Sequence, residues 1–216
     1  MTEPRRAFPA RLVRGWRMGA FSALALVVFL AADGRAAGFD DAKQAMAAEE
    51  QGDLEQAVAG YGRAVNDAGL GGVSKGLLFA ARGNALAAMG KLADALKDYD
   101  KALALAPDQA VIRFNRGNLL FGTGRYDEAI ADYTRAIDLD AADAAAYNNR
   151  GSAWFAKGNL ESALANYNMA VKLLPADAEF VNNRGRVWFA MGEETKARAD
   201  FSQAKSLDPE VKTPLD

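Results

Sequence analysis

Carboxylates and amides are the side chains that could do chemistry in this sequence, because it contains neither histidine nor cysteine. Their absence removes the most common general base, the most common metal ligands and the thiol nucleophile. Neighbouring carboxylates occur at Asp127-Glu128 and Glu193-Glu194. Both pairs fall at predicted helix starts, where acidic side chains interact favourably with the helix dipole. No further group converges on them, so the sequence predicts a non-enzymatic protein without a catalytic site, metal or cofactor.

A repeated arginine is the second chemical feature. It stands directly before a glycine at Arg82, Arg116, Arg150 and Arg184. Downstream of each arginine, an acidic or amide residue precedes an aromatic one, at Asp98, Asp132, Asn166 and Asp200. Because buried charges are usually paired within the protein, we predict pairs between neighbouring helices. An arginine ladder that binds a ligand is the alternative.

These residues recur because the chain is built from repeats. Glycines at 90, 124, 158 and 192 are 34 residues apart, and Gly52 lies 38 residues before the first of them. Apolar residues return at helical spacing on both sides of Gly158, which predicts two helices per repeat with the glycine in the turn. Such a period indicates stacked repeats. The predicted repeats cover 38–71, 76–109, 110–143, 144–177 and 178–211, with four extra residues around Gly71-Gly72 separating the first two.

The period, the order Gly/Ala/aromatic/Ala and the closing Pro107, Pro175 and Pro209 resemble the tetratricopeptide repeat family. The resemblance implies an all-α fold, a right-handed solenoid of about five helix-turn-helix repeats over 37–211, followed by a tail over 212–216. In the last repeat Glu194, Arg198 and Lys205 replace apolar residues of the earlier repeats. Charge at these places predicts that nothing stacks on the final helix.

In that family the first helices line a concave groove that binds a peptide or a partner helix. The resemblance therefore implies a partner-binding groove of amides and phenyl rings. Its polar members are Asn84, Asn115, Asn118, Asn148, Asn149, Ser152, Asn182, Asn183 and Arg186, and its aromatic members are Phe114, Phe121, Phe155 and Phe189. Solvent-facing amides could bond to the backbone of an extended peptide, while the rings supply apolar contact area. The alternative is that these residues serve only the packing of the repeats.

Another binding mode of the family, the carboxylate clamp, requires lysine or arginine beside asparagine. The corresponding places hold Ala80, Phe114, Ala145 and Glu179. Recognition of an acidic C-terminal tail is therefore disfavoured.

The N-terminus predicts export. Five arginines between positions 5 and 17 precede an apolar run over 18–32, and small residues follow up to Ala37. This is the layout of a signal peptide over 1–36, with cleavage after Ala36. The fifteen-residue run is shorter than the ~20 residues of a spanning helix, although an uncleaved anchor is the alternative.

Composition limits the partners. Removal of residues 1–36 leaves 20 basic and 26 acidic residues, a net charge of −6, so no nucleic-acid partner is expected. The sequence predicts a periplasmic or secreted module that binds a protein or peptide, with membrane contact only through an uncleaved N-terminal segment facing the periplasm from the inner membrane. A scaffold or assembly subunit of a cell-envelope complex is the alternative function.

Overall fold

The computed structural model describes residues 37–216, and the predicted signal peptide or anchor lies outside the described residues. Over the described range the chain forms ten α-helices and no strand, which confirms the predicted all-α class. The helices are α1 (Ala37–Glu50), α2 (Leu54–Ala64), α3 (Gly72–Ala88), α4 (Leu92–Leu105), α5 (Ala110–Gly122), α6 (Tyr126–Leu139), α7 (Ala144–Ala156), α8 (Leu160–Leu173), α9 (Ala178–Ala190) and α10 (Glu194–Leu207). None of these helices combines the length and apolar composition needed to span a membrane.

The helices fall into two compact units, with unit 1 ending at Gly122 and unit 2 beginning at Thr123. Unit 1 contains the packed pairs α1–α2 and α3–α4, followed by α5. Unit 2 begins with α6 and contains the packed pairs α7–α8 and α9–α10.

The repeated glycine ends the first helix of each pair. Gly52, Gly90, Gly124, Gly158 and Gly192 have φ between +76° and +81°, the left-handed conformation that favours glycine. At Gly158 the next amide, of Asn159, donates to the Trp154 carbonyl over 3.0 Å, and the Gly158 amide donates to the Phe155 carbonyl over 2.9 Å. These two bonds form a Schellman motif, which satisfies the last carbonyls of α7. The predicted turn position of the glycines is confirmed.

A second glycine column lets the paired helices approach closely. A Cβ atom at Gly151 would lie 3.1 Å from Cε1 of Tyr167, and one at Gly185 only 2.7 Å from Cε1 of Phe201. Each aromatic ring of the second helix therefore lies directly against the backbone of the first helix. The predicted role of small residues in this packing is confirmed for the helix pairs of unit 2.

The connection between α2 and α3 differs from the prediction. The extra residues do not form a separating linker, because α3 begins at Gly72 and is thereby lengthened by about one turn. In the preceding loop the Asp67 carboxylate accepts the Gly38 amide over 2.5 Å and the Gly69 amide over 2.7 Å. The bond from Gly38 connects the start of α1 to the loop, and the bond from Gly69 lies within the loop.

Helix α10 presents charge on the side where an earlier repeat would be apolar. Glu194, Arg198 and Lys205 are all exposed, as predicted for a helix that receives no further repeat. The Arg198 guanidinium lies 3.9 Å from the Glu194 carboxylate, one turn away along the helix.

Candidate partner-binding surface

Two of the repeated arginines form bidentate ion pairs across their helix pair. Arg82 on α3 donates from Nε and Nη2 to the Asp98 carboxylate over 2.6 and 2.8 Å. Arg184 on α9 makes the same contacts with Asp200 over 2.8 and 2.7 Å. Both carboxylates are buried, and each hydrogen-bonded pair raises the pKa of its arginine. The predicted pairing is confirmed at these positions.

Two other arginines also bond to residues of the preceding repeat. Arg150 donates to Asn166 Oδ1 over 2.7 Å, as predicted, and to Thr134 Oγ1 on α6 over 3.0 Å. Arg116 donates to the Asp100 carboxylate on α4 over 2.6 Å. Desolvation by burial lowers the pKa of Arg150, whose hydrogen-bond partners here are neutral. These contacts join consecutive repeats within each unit and favour a structural role over a ligand ladder.

Amides of the first helices lie inside unit 1. The Tyr99 hydroxyl on α4 donates to Asn84 Oδ1 over 2.5 Å, and Asn115 Nδ2 on α5 donates to the same oxygen over 3.2 Å. All three side chains are buried. Asn84 is therefore an interior acceptor that serves two helices.

The expected solvent exposure is wrong for six of the predicted groove residues. Less than a tenth of each is exposed: Asn84, Phe114, Asn115, Asn118, Asn148 and Asn182. An unpaired amide or tyrosine hydroxyl is costly to bury. Asn84, Asn115 and Asn148 each bond to a side chain of a neighbouring helix, which explains their interior position.

Repeat-to-repeat differences carried a signal for this interior role. In the fourth repeat Ser152 takes the place of Asn84, and its hydroxyl lies 3.0 Å from that of Tyr167. In the last repeat Phe201 replaces the tyrosine, and the exposed Arg186 stands where the acceptor would be. The tyrosine hydroxyl and the side chain that would accept its hydrogen bond are thus absent from the same repeat, and this joint absence can be seen in the sequence alone.

The first repeat solves the same problem with a carboxylate. Met46 occupies the place of Asn84, and the Tyr61 hydroxyl donates instead to Glu49 Oε2 over 2.7 Å. Burial raises the pKa of Glu49, the hydrogen bond from Tyr61 lowers it, and the nearby charge of Glu50 raises it further. The second carboxylate oxygen of Glu49, Oε1, is buried and has no hydrogen-bond partner among residues 37–216.

Amides in unit 2 form a chain toward the surface. Asn183 Nδ2 donates to Asn148 Oδ1 over 3.0 Å, and Asn148 Nδ2 donates to Asn149 Oδ1 over 3.1 Å. Asn149 shares a further side-chain hydrogen bond with Tyr133. Asn149 and Asn183 are half-buried, so each keeps some contact with solvent.

The remaining predicted groove residues are more accessible. Phe121 in unit 1 is half-buried. The other six define the α7/α9 face of unit 2: Asn149, Ser152, Phe155, Asn183, Arg186 and Phe189. There the Arg186 guanidinium lies 5.7 Å from the centre of the Phe155 ring, and Phe189 is 45 % exposed. This face can offer ring surface, guanidinium N–H donors and partly exposed amides to a bound segment.

The described part of the chain contains no group of three carboxylates that could hold a metal ion.

A family model described as "Tetratricopeptide repeat" matches residues 80–144 and again 114–178. The helical pairs have a fold like that of tetratricopeptide repeats. No sequence of a curated protein matches the chain.

Solved structures share this tetratricopeptide-repeat fold. MamA 41-end from Desulfovibrio magneticus RS-1 has a TM-score of 0.71 and 22% identity, over 81% of this chain and 98% of that one. A crystal structure of MamA has a TM-score of 0.69 and 19% identity, over 77% of this chain and 95% of that one. YrrB, described as a TPR protein with an unusual peptide-binding site, has a TM-score of 0.68 and 19% identity, over 85% and 93%. At these identities the likeness concerns the fold.

Proposed function

We propose that this protein, with its fold like that of tetratricopeptide repeats, is a non-enzymatic interaction module that binds an extended segment of a partner protein on the α7/α9 face. The exposed Phe189 beside the Arg186–Phe155 stack is the observation that carries the proposal. Exposed aromatic and arginine side chains are the residue types that dominate binding energy at protein interfaces. The peptide-binding site named for YrrB, which has the same fold, adds support.

The bound segment combines apolar side chains with a carboxylate. Phe155 and Phe189 occupy equivalent positions of consecutive repeats, so each can receive one apolar side chain of the segment. The Arg186 guanidinium can donate to a carboxylate between them, because a cation stacked on a ring keeps its N–H edge free for a planar acceptor. Asn149 and Asn183 face the backbone of the segment.

Selection from a random peptide library displayed on phage, with the full chain as target, tests this proposal. The tightest peptide is titrated calorimetrically into the wild type, Phe189→Ala and Leu174→Ala. Leu174, which is 51 % exposed after the end of α8, is the matched control. We expect Phe189→Ala to weaken binding at least about tenfold, and Leu174→Ala to leave it unchanged. Equal affinity of the wild type and Phe189→Ala contradicts the proposed face.

A scaffold function is the second candidate. The second helices end in a repeated leucine at positions 105, 139, 173 and 207, and Leu105 and Leu207 are exposed. Exposed leucines are suited to contact with other subunits. If the protein is a scaffold, Leu207→Asp removes co-purification with its complex, whereas Phe189→Ala leaves it intact.

We also propose that the chain is exported to the periplasm or secreted, with cleavage after Ala36. The arginine-rich start followed by a short apolar run supports this proposal. N-terminal sequencing of protein from the envelope fraction is expected to begin at Ala37. An intact N-terminus in the membrane fraction would instead favour the anchored alternative.

A further inference from the structure

The last nine residues of the chain, 208–216, fold back onto the final helix pair. Asn182 Nδ2 on α9 donates to the main-chain carbonyl of Lys212 over 3.0 Å. Val211 packs against an apolar cluster that includes Phe180, Val181 and Ala204. The Lys205 ammonium on α10 pairs with the Asp216 carboxylate. A main-chain contact, an apolar contact and an ionic contact therefore hold this C-terminal segment.

The segment covers the surface where a further repeat would dock. Asn148, the equivalent of Asn182 one repeat earlier, is contacted by Asn183 from the following repeat. In the last repeat the Lys212 carbonyl instead accepts a hydrogen bond from Asn182 Nδ2, at the other end of the side-chain amide. The C-terminal segment thus lies where a neighbouring helix would lie, but as non-helical chain with turns at 209–210 and 214–215.

The C-terminal segment leaves one hydrogen-bonding atom of Asn182 without a partner among residues 37–216. Asn182 is only 8% exposed, yet within the described range its Oδ1 atom is buried without a hydrogen-bond partner. A side-chain amide can bond to a main-chain carbonyl and a main-chain N–H together, whereas the segment uses only the first of these. Val211 and Thr213 are half-buried and the other residues after Leu207 are exposed, so little surface holds the segment in place.

We propose that residues 208–216 are a displaceable occupant of a peptide-binding site formed by α9 and α10. The site takes a partner segment that places an apolar residue against Phe180 and Val181 and, after a turn like that at 214–215, a carboxylate five positions later against Lys205. Asn182 binds the main chain between them through both amide atoms. The C-terminal segment holds the site closed until such a partner competes for it. This proposal does not rest on the α7/α9 face, since Phe155, Arg186 and Phe189 take no part.

A labelled nonapeptide with the sequence of residues 208–216, DPEVKTPLD, is the probe. It is titrated into the full chain and into Val211→Asp, which removes the apolar anchor of the attached segment and leaves the site itself unchanged. In the wild type the attached segment competes at an effective concentration in the millimolar range. We therefore expect Val211→Asp to bind the peptide at least about tenfold more tightly than the wild type. A folded Val211→Asp variant that binds no more tightly overturns the proposal.

Three controls accompany this titration. A peptide with aspartate in place of its valine is expected not to bind Val211→Asp. Adding Asn182→Ala to that variant is expected to reduce binding at least about tenfold, and unchanged binding would overturn the assigned site. Hydrogen exchange in the wild type is expected to be faster at the Val211 and Thr213 amides than in α9. If those amides exchange only as slowly as the core of α9, the segment is a permanent cap and the proposal fails.

Discussion

Tyr99 and Asn84 meet in the core of unit 1, where the tyrosine hydroxyl donates to the amide oxygen over 2.5 Å. Asn115 on α5 donates to the same oxygen, so one acceptor serves a donor on α4 and another on α5. A buried donor that loses its partner costs about 1–3 kcal/mol. This shared acceptor therefore links neighbouring repeats through a polar contact in the interior of unit 1.

Replacement of Asn84 tests this role. We expect Asn84→Ala to lower the free energy of unfolding by about 1–3 kcal/mol, because the Tyr99 hydroxyl and the Asn115 amide then lack their acceptor. Denaturation in guanidinium chloride measures the loss. Adding Tyr99→Phe to Asn84→Ala should cost less than Tyr99→Phe costs in the wild type, since the hydroxyl no longer has a partner to lose. Strictly additive losses would show that the two side chains do not interact.

Much of the fold could be predicted from the sequence because its determinants are local. The left-handed conformation of Gly158 and the close approach of Gly185 to Phe201 each require glycine, and the repeat makes each requirement visible several times. The start of α3 could not be predicted in this way, because the extra residues before it have no equivalent in the other repeats.

The candidate site was only partly predictable. Helical periodicity places Asn115 and Asn183 in the same column, but it does not say how far a neighbouring helix covers each one. Asn115 is buried and Asn183 is half-buried. Amides are ambiguous in this respect, because they suit both a solvated face and a hydrogen-bonded interior. In the last repeat Phe201 replaces the tyrosine and Arg186 replaces the amide that would accept its hydroxyl. This joint replacement indicates that the amide column serves the hydrogen-bonded interior rather than a solvated face.

The ion pair between Arg184 and Asp200 predicts a large effect of truncation. We expect Arg184→Ala to lower the free energy of unfolding by about 3 kcal/mol, because it leaves the buried Asp200 carboxylate without its bidentate partner. Lys97→Ala is the matched control, since Lys97 pairs with Asp94 on the exposed side of α4 and should contribute less than about 1 kcal/mol. Thermal melting compares them. Similar melting temperatures for both variants would contradict a stabilising role of the buried pair.

The contact between Gly185 and the Phe201 ring predicts that one methyl group is too large there. We expect Gly185→Ala to destabilise the fold by about 1–3 kcal/mol, because the new Cβ would lie 2.7 Å from Cε1 and 3.0 Å from Asp200 Cβ. Gly72→Ala is the control, because apart from its chain neighbours and the backbone of its own helix no atom lies within 4 Å of the position its Cβ would take. Chemical denaturation should separate the two variants. Gly185→Ala as stable as the wild type would mean that α10 shifts away at no cost.

The half-buried Glu49 carboxylate predicts that stability depends on pH. Because the native pKa of Glu49 is raised above its ordinary value of 4.5, the native state holds this proton more tightly than the unfolded state. The resulting stabilisation is complete below about pH 4.5 and is lost as the pH rises through the native pKa. Glu49→Gln keeps an uncharged partner for Tyr61 at every pH. We therefore expect its stability relative to the wild type to increase from pH 4 to pH 7, by at most about 1.4 kcal/mol per pH unit.

Unfolding in guanidinium chloride at several pH values measures this difference. The charged and titratable groups that act with Glu49 in the described structure are Tyr61, Glu50 and Tyr99. Glu50→Gln is the control that separates burial from repulsion. This variant removes a charge that raises the pKa of Glu49, so the native pKa of Glu49 should fall and the loss of stability should end at a lower pH. The loss should not disappear, because desolvation is the larger cause of the raised pKa. If Glu49→Gln and the wild type instead give parallel curves from pH 4 to pH 7, the Glu49 carboxylate is solvated and its contact with Tyr61 does not control its protonation.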